Sequence, residues 1–213
     1  MKDYSFYLFD ADGTILDTRA LICACFAHTI KTFGGTAVPE ELIVADMGHP
    51  LIYQLRKYLG EHPEEELRSI AEFHMAYQAQ IYQSHLKLFP GVYEALACLH
   101  ERGKRCAVVT SRSKVSLERY LITTGIRDFF SSCICIEDTK RPKPHPEPVL
   151  KALASLGGSP SESLFIGDTS FDVEAGKRAG LDTVLVSWTN ARVEEFAVKP
   201  DYVIPDMREL CIA

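Results

Sequence analysis

An apolar run that stops on two acids constrains this chain more than any other feature. Phe6-Tyr7-Leu8-Phe9 reads as a buried strand, followed at once by Asp10-Ala11-Asp12 and then by Gly13-Thr14. Gly13 permits a tight backbone turn. In a parallel α/β sheet, ligands bind beyond the carboxyl ends of the strands. Two carboxylates one residue apart at such a place repel each other, and a cation between them removes the repulsion. An ordinary Asp-rich turn would carry the same residues, so the weight falls on what the rest of the chain brings to the same edge.

Downstream, Ile22, Phe26, Ile30 and Phe33 recur at helical spacing, and Gly34-Gly35 closes that helix. Shorter helical pieces span residues 40–60, punctuated by Gly48-His49-Pro50. A second long helix starts near Pro63-Glu64, with proline and acids in its first turn as the helix dipole favours. Its apolar stripe is Leu67, Ile70, His74, Tyr77 and Ile81. About 65 residues thus hold helices and no strand, as a separate helical module would. From Pro90 the pattern changes to alternation. Helices are expected over 91–102, 114–124, 147–156 and 171–179. Strands are expected at Arg105–Thr110, at 133–136, at Leu164–Ile166, at Thr183–Val186 and at Tyr202–Ile204. Strands alternating with helices predict a doubly wound, Rossmann-like, mostly parallel sheet covered on both faces.

Composition narrows the class. The 213 residues are 46% hydrophobic and 10% aromatic, enough for a packed core. A formal charge of −6 argues against a nucleic-acid partner, which would meet a basic face. No apolar run reaches membrane-spanning length and no signal-peptide pattern opens the chain, so a cytoplasmic protein with no membrane partner is expected. The acidic balance suits a monomer or weak homodimer. Seven cysteines at spacings that match neither a disulfide framework nor a zinc site are expected to be reduced and largely buried. Cys133 and Cys135 are expected to pack on one strand.

Four strand ends carry polar residues. The first gives Asp10 and Asp12, the second Thr110-Ser111, and the third the loop Arg141-Pro142-Lys143-Pro144-His145-Pro146. The fourth gives Gly167-Asp168, with Asp172 four residues on. In a parallel sheet all four lie on one edge. Each residue alone has an ordinary alternative. Lys143 could be a solvated lysine in a proline-rich turn, Thr110 could cap a helix, though Ser111 or Ser113 fits that task better, and Asp172 could be an acid in a helix's first turn.

Together the four segments resemble the four motifs of the haloacid dehalogenase-like superfamily of phosphatases, in the phosphoglycolate phosphatase and pyrophosphatase branch. Asp10-Ala11-Asp12-Gly13-Thr14 matches the first motif, with Ala11 where Leu is commoner. Thr110 matches the second, Lys143 the third, and Gly167-Asp168 to Asp172 the fourth. The tail Val186-Ser187-Trp188-Thr189, with Lys199-Pro200-Asp201-Tyr202, is also similar to that branch. The resemblance implies a core of residues 1–16 and 86–213 and an all-helical cap of residues 17–85. It implies Asp10 as the nucleophile that becomes an aspartyl phosphate, and Mg²⁺ held by Asp10, the Asp12 carbonyl and Asp168. Asp12 would be general acid and then base, its proton favoured by the nearby charge of Asp10. Lys143 would steady the phosphoryl oxygens, Thr110 and the Ser111 amide would bind them, and Asp172 would position Lys143 or a magnesium-bound water. The substrate would be a small phosphorylated metabolite or pyrophosphate.

Two residues offer specificity. His49, in the Gly48–Pro50 loop, either binds a substrate oxygen or is a surface histidine, and Arg112 either faces a substrate carboxylate or is solvated. A phosphoglucomutase-like transferase carries the same motifs, and a catalytically idle phosphate-binding protein would keep them without turnover. A metal-free dehalogenase is disfavoured by Asp12 and Asp168. A phosphonate hydrolase would need a cap lysine, for which only Lys31 and Lys57 are at hand.

Overall fold

A computed structural model describes residues 1–188 and 192–211. The elements in chain order begin with β1 (Phe6–Phe9), β2 (Leu16–Asp17), α1 (Arg19–Thr32), α2 (Glu40–Ala45), α3 (Leu51–Leu59), α4 (Glu64–His85) and β3 (Lys87–Leu88). They continue with α5 (Val92–Glu101), β4 (Arg105–Val109), α6 (Lys114–Thr123), β5 (Phe130–Ile134) and α7 (Glu147–Leu156). The chain then runs through β6 (Ser163–Gly167), α8 (Ser170–Arg178), β7 (Asp182–Val186) and β8 (Tyr202–Ile204). It divides into two compact units, Met1–Asp17 with Lys87–Ala213, and Thr18–Leu86.

The first unit is built on a six-stranded sheet in the order β5-β4-β1-β6-β7-β8, with every pairing parallel. This is the doubly wound α/β class. β1 lies between two strands and helices cover both faces, which is why it reads as a continuous apolar run rather than an alternating one. Leu8, Ala107, Val109 and Phe165 form one core with Val149, Ala152 and Leu156 of α7 and Ala175 of α8. Tyr7 and Phe9 fall on the opposite face, and Phe9 meets Phe130 edge-on, with ring centroids 6.1 Å apart. Ala11 is fully buried. The short strands β2 and β3 pair antiparallel at the two ends of the excursion into the second unit, a ribbon too short to register as a sequence pattern.

The second unit is all-helical. Phe26 and Ile30 of α1, Ile43 of α2, Leu55 of α3, and Leu67 and Ile70 of α4 make its core. The stripe along α4 departs from expectation in its second half: Gln78 and Tyr82 are buried where Tyr77 and Ile81 were expected. His74 turns the face, since it accepts burial by pairing its Nδ1 with Thr29 Oγ1 at 3.0 Å, and positions four and eight residues on then follow it inward.

Two further expectations are corrected. The strand expected at 133–136 runs from Phe130 to Ile134, and Cys135 lies beyond it. β5 is an edge strand, and its exposed Ser131 and half-buried Ser132 hide it from an apolarity criterion. The seven cysteines are not all reduced: Cys98 of α5 and Cys211, in the short helical turn Met207–Cys211, form a disulfide with Cα atoms 6.4 Å apart. Sequence spacing gave no sign of it because 113 residues separate the two and only the packing of that turn on α5 joins them. Cys23, Cys25, Cys106 and Cys135 are buried outside any disulfide among the described residues, and Cys133, likewise not disulfide-bonded, is half-buried. Among the described residues, no helix is long and apolar enough to cross a membrane.

Candidate active site

The register of the sheet gathers the polar residues. Phe9 aligns with Val108 of β4 on one side and Ile166 of β6 on the other. The next residues along each strand therefore leave the sheet side by side. Asp10 still donates its N–H to Ile166 O at 2.8 Å, and Thr110 donates its N–H to Ile134 O at 2.9 Å. Asp10, Thr110 and Asp168 are all buried at this carboxyl edge.

Lys143 arrives from the loop between β5 and α7, across a cis Lys143–Pro144 peptide. Its ammonium donates to Asp10 Oδ1 at 2.5 Å, Asp172 Oδ1 at 2.6 Å and the Val109 carbonyl at 3.2 Å, and its side chain is 6% exposed. All three of its N–H donors are thereby placed. Asp172 is fixed from its other oxygen, which accepts the Thr169 N–H at 3.1 Å and the Thr169 hydroxyl at 2.6 Å in a capping box that opens α8. The ordinary reading of Asp172, an acid in a first helical turn, and its place beside Lys143 hold at once.

Two glycines make room for the carboxylates. Gly13 sits at φ +84°, and a Cβ there would overlap the Asp168 carboxylate; one on Gly167 would overlap the Asp172 side chain. Asp168 accepts a long hydrogen bond, 3.4 Å, from the buried Thr14 hydroxyl.

Burial pushes the Asp10 carboxyl up to about 7, with Lys143 opposing the rise and Asp172 adding to it. Asp168 is raised well above the ordinary carboxylate range, first by burial and then by the charges of Asp10 and Asp172. Burial works against the Lys143 ammonium, but Asp10 and Asp172 outweigh it and hold its pKa above the usual value. The balance of charge explains the two raised acids. Among the described residues, carboxylate oxygens of Asp10, Asp168 and Asp172, all three buried, lie within 4.8 Å of one another, against the one ammonium of Lys143. Two negative charges remain uncompensated, the complement of one divalent cation, and oxygen-only donors suit a hard one such as Mg²⁺. Asp172 is committed to Lys143 and Thr169, which leaves Asp10 and Asp168 as the side chains suited to hold the ion.

The other candidates divide. Asp12 lies at the edge of the cluster, and its carboxylate is gripped by Arg112, which donates from Nε to Oδ2 at 2.9 Å and from Nη2 to Oδ1 at 2.5 Å. The Arg112 backbone N–H donates to Thr110 Oγ1 at 3.1 Å, so the loop after β4, including Ser111, is folded onto the same edge. Arg112 is therefore not a solvated arginine. His49 belongs to the helical unit. Its N–H donates to the Asp46 carbonyl at 3.2 Å, its Nδ1 lies 3.1 Å from the same oxygen, and its ring stacks on Tyr53 at 4.6 Å.

Sequence reasoning missed three supports: the Arg112–Asp12 pair, Thr14 against Asp168, and Trp188, whose indole N–H donates to Gly13 O at 2.9 Å. The capping box was legible as Thr169-x-x-Asp172; the others depend on register between distant segments. Of the tail that resembled the phosphatase branch, Thr189 lies outside the described residues.

Comparison with known proteins agrees with this geometry. Residues 7–186 match the family described as haloacid dehalogenase-like hydrolase. The pyrophosphatase PpaX of Anoxybacillus flavithermus is 33% identical over 204 residues, covering 95% of this chain and 93% of that protein. A Bacteroides fragilis structure described as a haloacid dehalogenase-like hydrolase superposes with a TM-score of 0.89 at 28% identity, covering 98% of this chain and all of that one. A predicted phosphoglycolate phosphatase from Haemophilus somnus has the same fold, with a TM-score of 0.86 at 23% identity over 100% and 99% of the two chains. With its parallel sheet and its four segments on one edge, the chain belongs to the haloacid dehalogenase-like hydrolases and is an enzyme of their phosphatase branch.

Proposed function

We infer that this enzyme hydrolyses small phosphorylated metabolites or pyrophosphate, passing the phosphoryl group first to Asp10 and then to water. The observation that carries the reading is the uncompensated charge around Asp10, where three buried carboxylates meet one ammonium. Attack by one anion on another requires cationic surroundings, and a group this poor in them has been built to receive a cation. Mg²⁺ would be held by Asp10, Asp168 and the backbone carbonyl of Asp12, and when bound it supplies charge neutralisation to the nucleophile and the phosphoryl oxygens.

In the first half-reaction an Asp10 oxygen forms a bond to phosphorus while the bond to the leaving oxygen breaks, and Asp12 gives that oxygen a proton. In the second, Asp12 takes a proton from water, the water oxygen bonds to phosphorus, and phosphate leaves with the Asp10 carboxylate restored. Lys143 keeps a positive charge beside the nucleophile, held there by Asp172. The Thr110 hydroxyl and the Ser111 amide bind phosphoryl oxygens. The helical unit, residues 18–86, acts as the cap, with His49 its candidate for a substrate oxygen. The pyrophosphatase relative, alike over nearly its whole length, supports a phosphoanhydride within the substrate range.

Turnover of p-nitrophenyl phosphate and pyrophosphate with and without Mg²⁺, in the native protein and in Asp10→Asn, tests this. The expected result is Mg²⁺-dependent release of phosphate that Asp10→Asn abolishes. Full activity in that variant overturns the reading.

A further inference from the structure

The Arg112 side chain is built into the core unit more firmly than a surface arginine needs to be. It is 7% exposed. Beyond its two bonds to Asp12, Nη1 donates to Ser116 Oγ at 2.7 Å, and the guanidinium lies over the Tyr120 ring, 4.4 Å from its centroid. Ser116 and Tyr120 stand one turn apart on one face of α6, so the helix forms a slot that holds the fork in plane. The open edge of the fork carries the Asp12 carboxylate in two-point contact, an arrangement that selects planar or tetrahedral oxyanions and that a lysine cannot reproduce.

In the reaction proposed above, Asp12 works on the leaving oxygen. Whatever is attached to that oxygen must pass beside the Asp12 carboxylate, and so beside Arg112. A leaving group with an oxyanion of its own offers the fork the same two-oxygen face that Asp12 offers. The carboxylate of 2-phosphoglycolate and the second phosphoryl group of pyrophosphate are such groups. A neutral alcohol offers nothing comparable.

We propose that Arg112 is the specificity-determining residue of this enzyme: its fork is shared between two oxyanions, Asp12 and an anionic group on the leaving side of the substrate. Such a substrate brings its own oxyanion to the fork, which stays in its slot, and displaces the Asp12 carboxylate toward the leaving oxygen. Selection for an anionic leaving group and engagement of the proton-transfer residue are then one event. The inference rests on the reading of Asp10 as the phosphoryl acceptor and Asp12 as its acid and base.

The test compares 2-phosphoglycolate with 2-hydroxyethyl phosphate, which has the same chain length and a neutral hydroxymethyl group in place of the carboxylate. Both are assayed with Mg²⁺ on the full chain. The native enzyme should prefer 2-phosphoglycolate by about tenfold or more in kcat/KM. Arg112→Ala and Arg112→Lys should each erase most of that preference, with the loss on 2-phosphoglycolate appearing chiefly in KM. Equal losses on both substrates, or an unchanged ratio, would mean that Arg112 only braces two loops. If Arg112→Ala does not fold, Arg112→Lys carries the test, since it keeps charge and stem. A second measurement addresses the sharing itself. Titration calorimetry should find 2-phosphoglycolate bound several-fold more tightly by Asp12→Ala, where the competing carboxylate is gone; equal or weaker binding overturns the exchange. Asp10→Asn keeps the two failures apart. If it retains turnover, the phosphoryl-acceptor reading fails; if it is inactive while the substrate ratio ignores Arg112, only the present inference fails.

Discussion

Both units of the molecule bury polar and charged groups, and they treat them differently. In the helical unit Asp46 is buried, but it accepts a bond from Lys57 Nζ at 2.7 Å and another from the Tyr58 hydroxyl at 2.6 Å. His74 is matched by Thr29. Gln54 donates to the His49 carbonyl at 2.9 Å, and only its Oε1 is left over. Apart from that one oxygen, these groups find acceptors and donors within the unit, as buried polarity does when its role is to fix a fold. At the carboxyl edge of the sheet the pairing does not close. Lys143 must serve Asp10 and Asp172 together, and among the described residues Asp168 has only the long bond from Thr14. In the proposed function the unbalanced region is the one with work to do, its balance deferred until an ion and a phosphoryl group arrive.

The largest effect that separates the regions is on activity. Asp10→Asn should lower kcat by at least ~10³-fold, as loss of a covalent nucleophile does. Its thermal midpoint without metal should hold or rise, since a buried charge with too few partners is removed. A fall of several degrees would mean that Asp10 is structural, like Asp46, and would break the contrast.

Next in size is the response to metal. At a hundredfold excess over its dissociation constant, Mg²⁺ should stabilise the protein by about 2.7 kcal/mol against a chelator-treated sample, read as a rise in thermal midpoint. Asp168→Asn should abolish most of the rise. A rise that survives in that variant would place the ion elsewhere.

The helical unit gives the converse. Asp46→Ala removes the acceptor of Lys57 and leaves the Tyr58 hydroxyl only its long bond to the Leu42 carbonyl, and should cost about 1–3 kcal/mol in denaturant unfolding. That loss should appear equally with and without Mg²⁺. A cost that Mg²⁺ alters would tie Asp46 to the metal site.

The contrast also marks what the sequence could and could not say. β1, β4 and β6 were legible because strands buried on both faces need unbroken apolar runs, and the acids and Thr110 at their ends needed only the parallel topology to meet. Lys143 was legible through its proline-bounded loop and its resemblance to a known motif. What escaped was whatever depends on pairing between distant segments. Arg112 and Asp12 are 100 residues apart and meet only through the β1–β4 register. Cys98 and Cys211 meet through packing of a terminal turn. The inner face of α4 was misread from Tyr77 onward because burying Gln78 requires a partner that periodicity does not see.

The smallest effect tests the imbalance by pH alone. Asp10 is pushed up to about 7 in the folded protein, against an ordinary carboxylate value near 4 in the unfolded chain, and Asp168 is raised as well. A carboxyl raised by folding binds its proton more tightly in the native state, so it favours folding below the unfolded value and loses that contribution as pH rises through the folded one. In chelator, the thermal midpoint should therefore fall by a few degrees between pH 5 and pH 8, the shift being limited because Lys143 already offsets part of the charge. With Mg²⁺ saturating, the slope should flatten or reverse, since the ion stabilises the ionised carboxylates and competes with their protons. Asp10→Asn should flatten it in chelator too. A chelator-treated native protein whose midpoint rises from pH 5 to pH 8 would show that the carboxylates at the sheet edge are balanced after all, and the distinction between the two units would lose its physical basis.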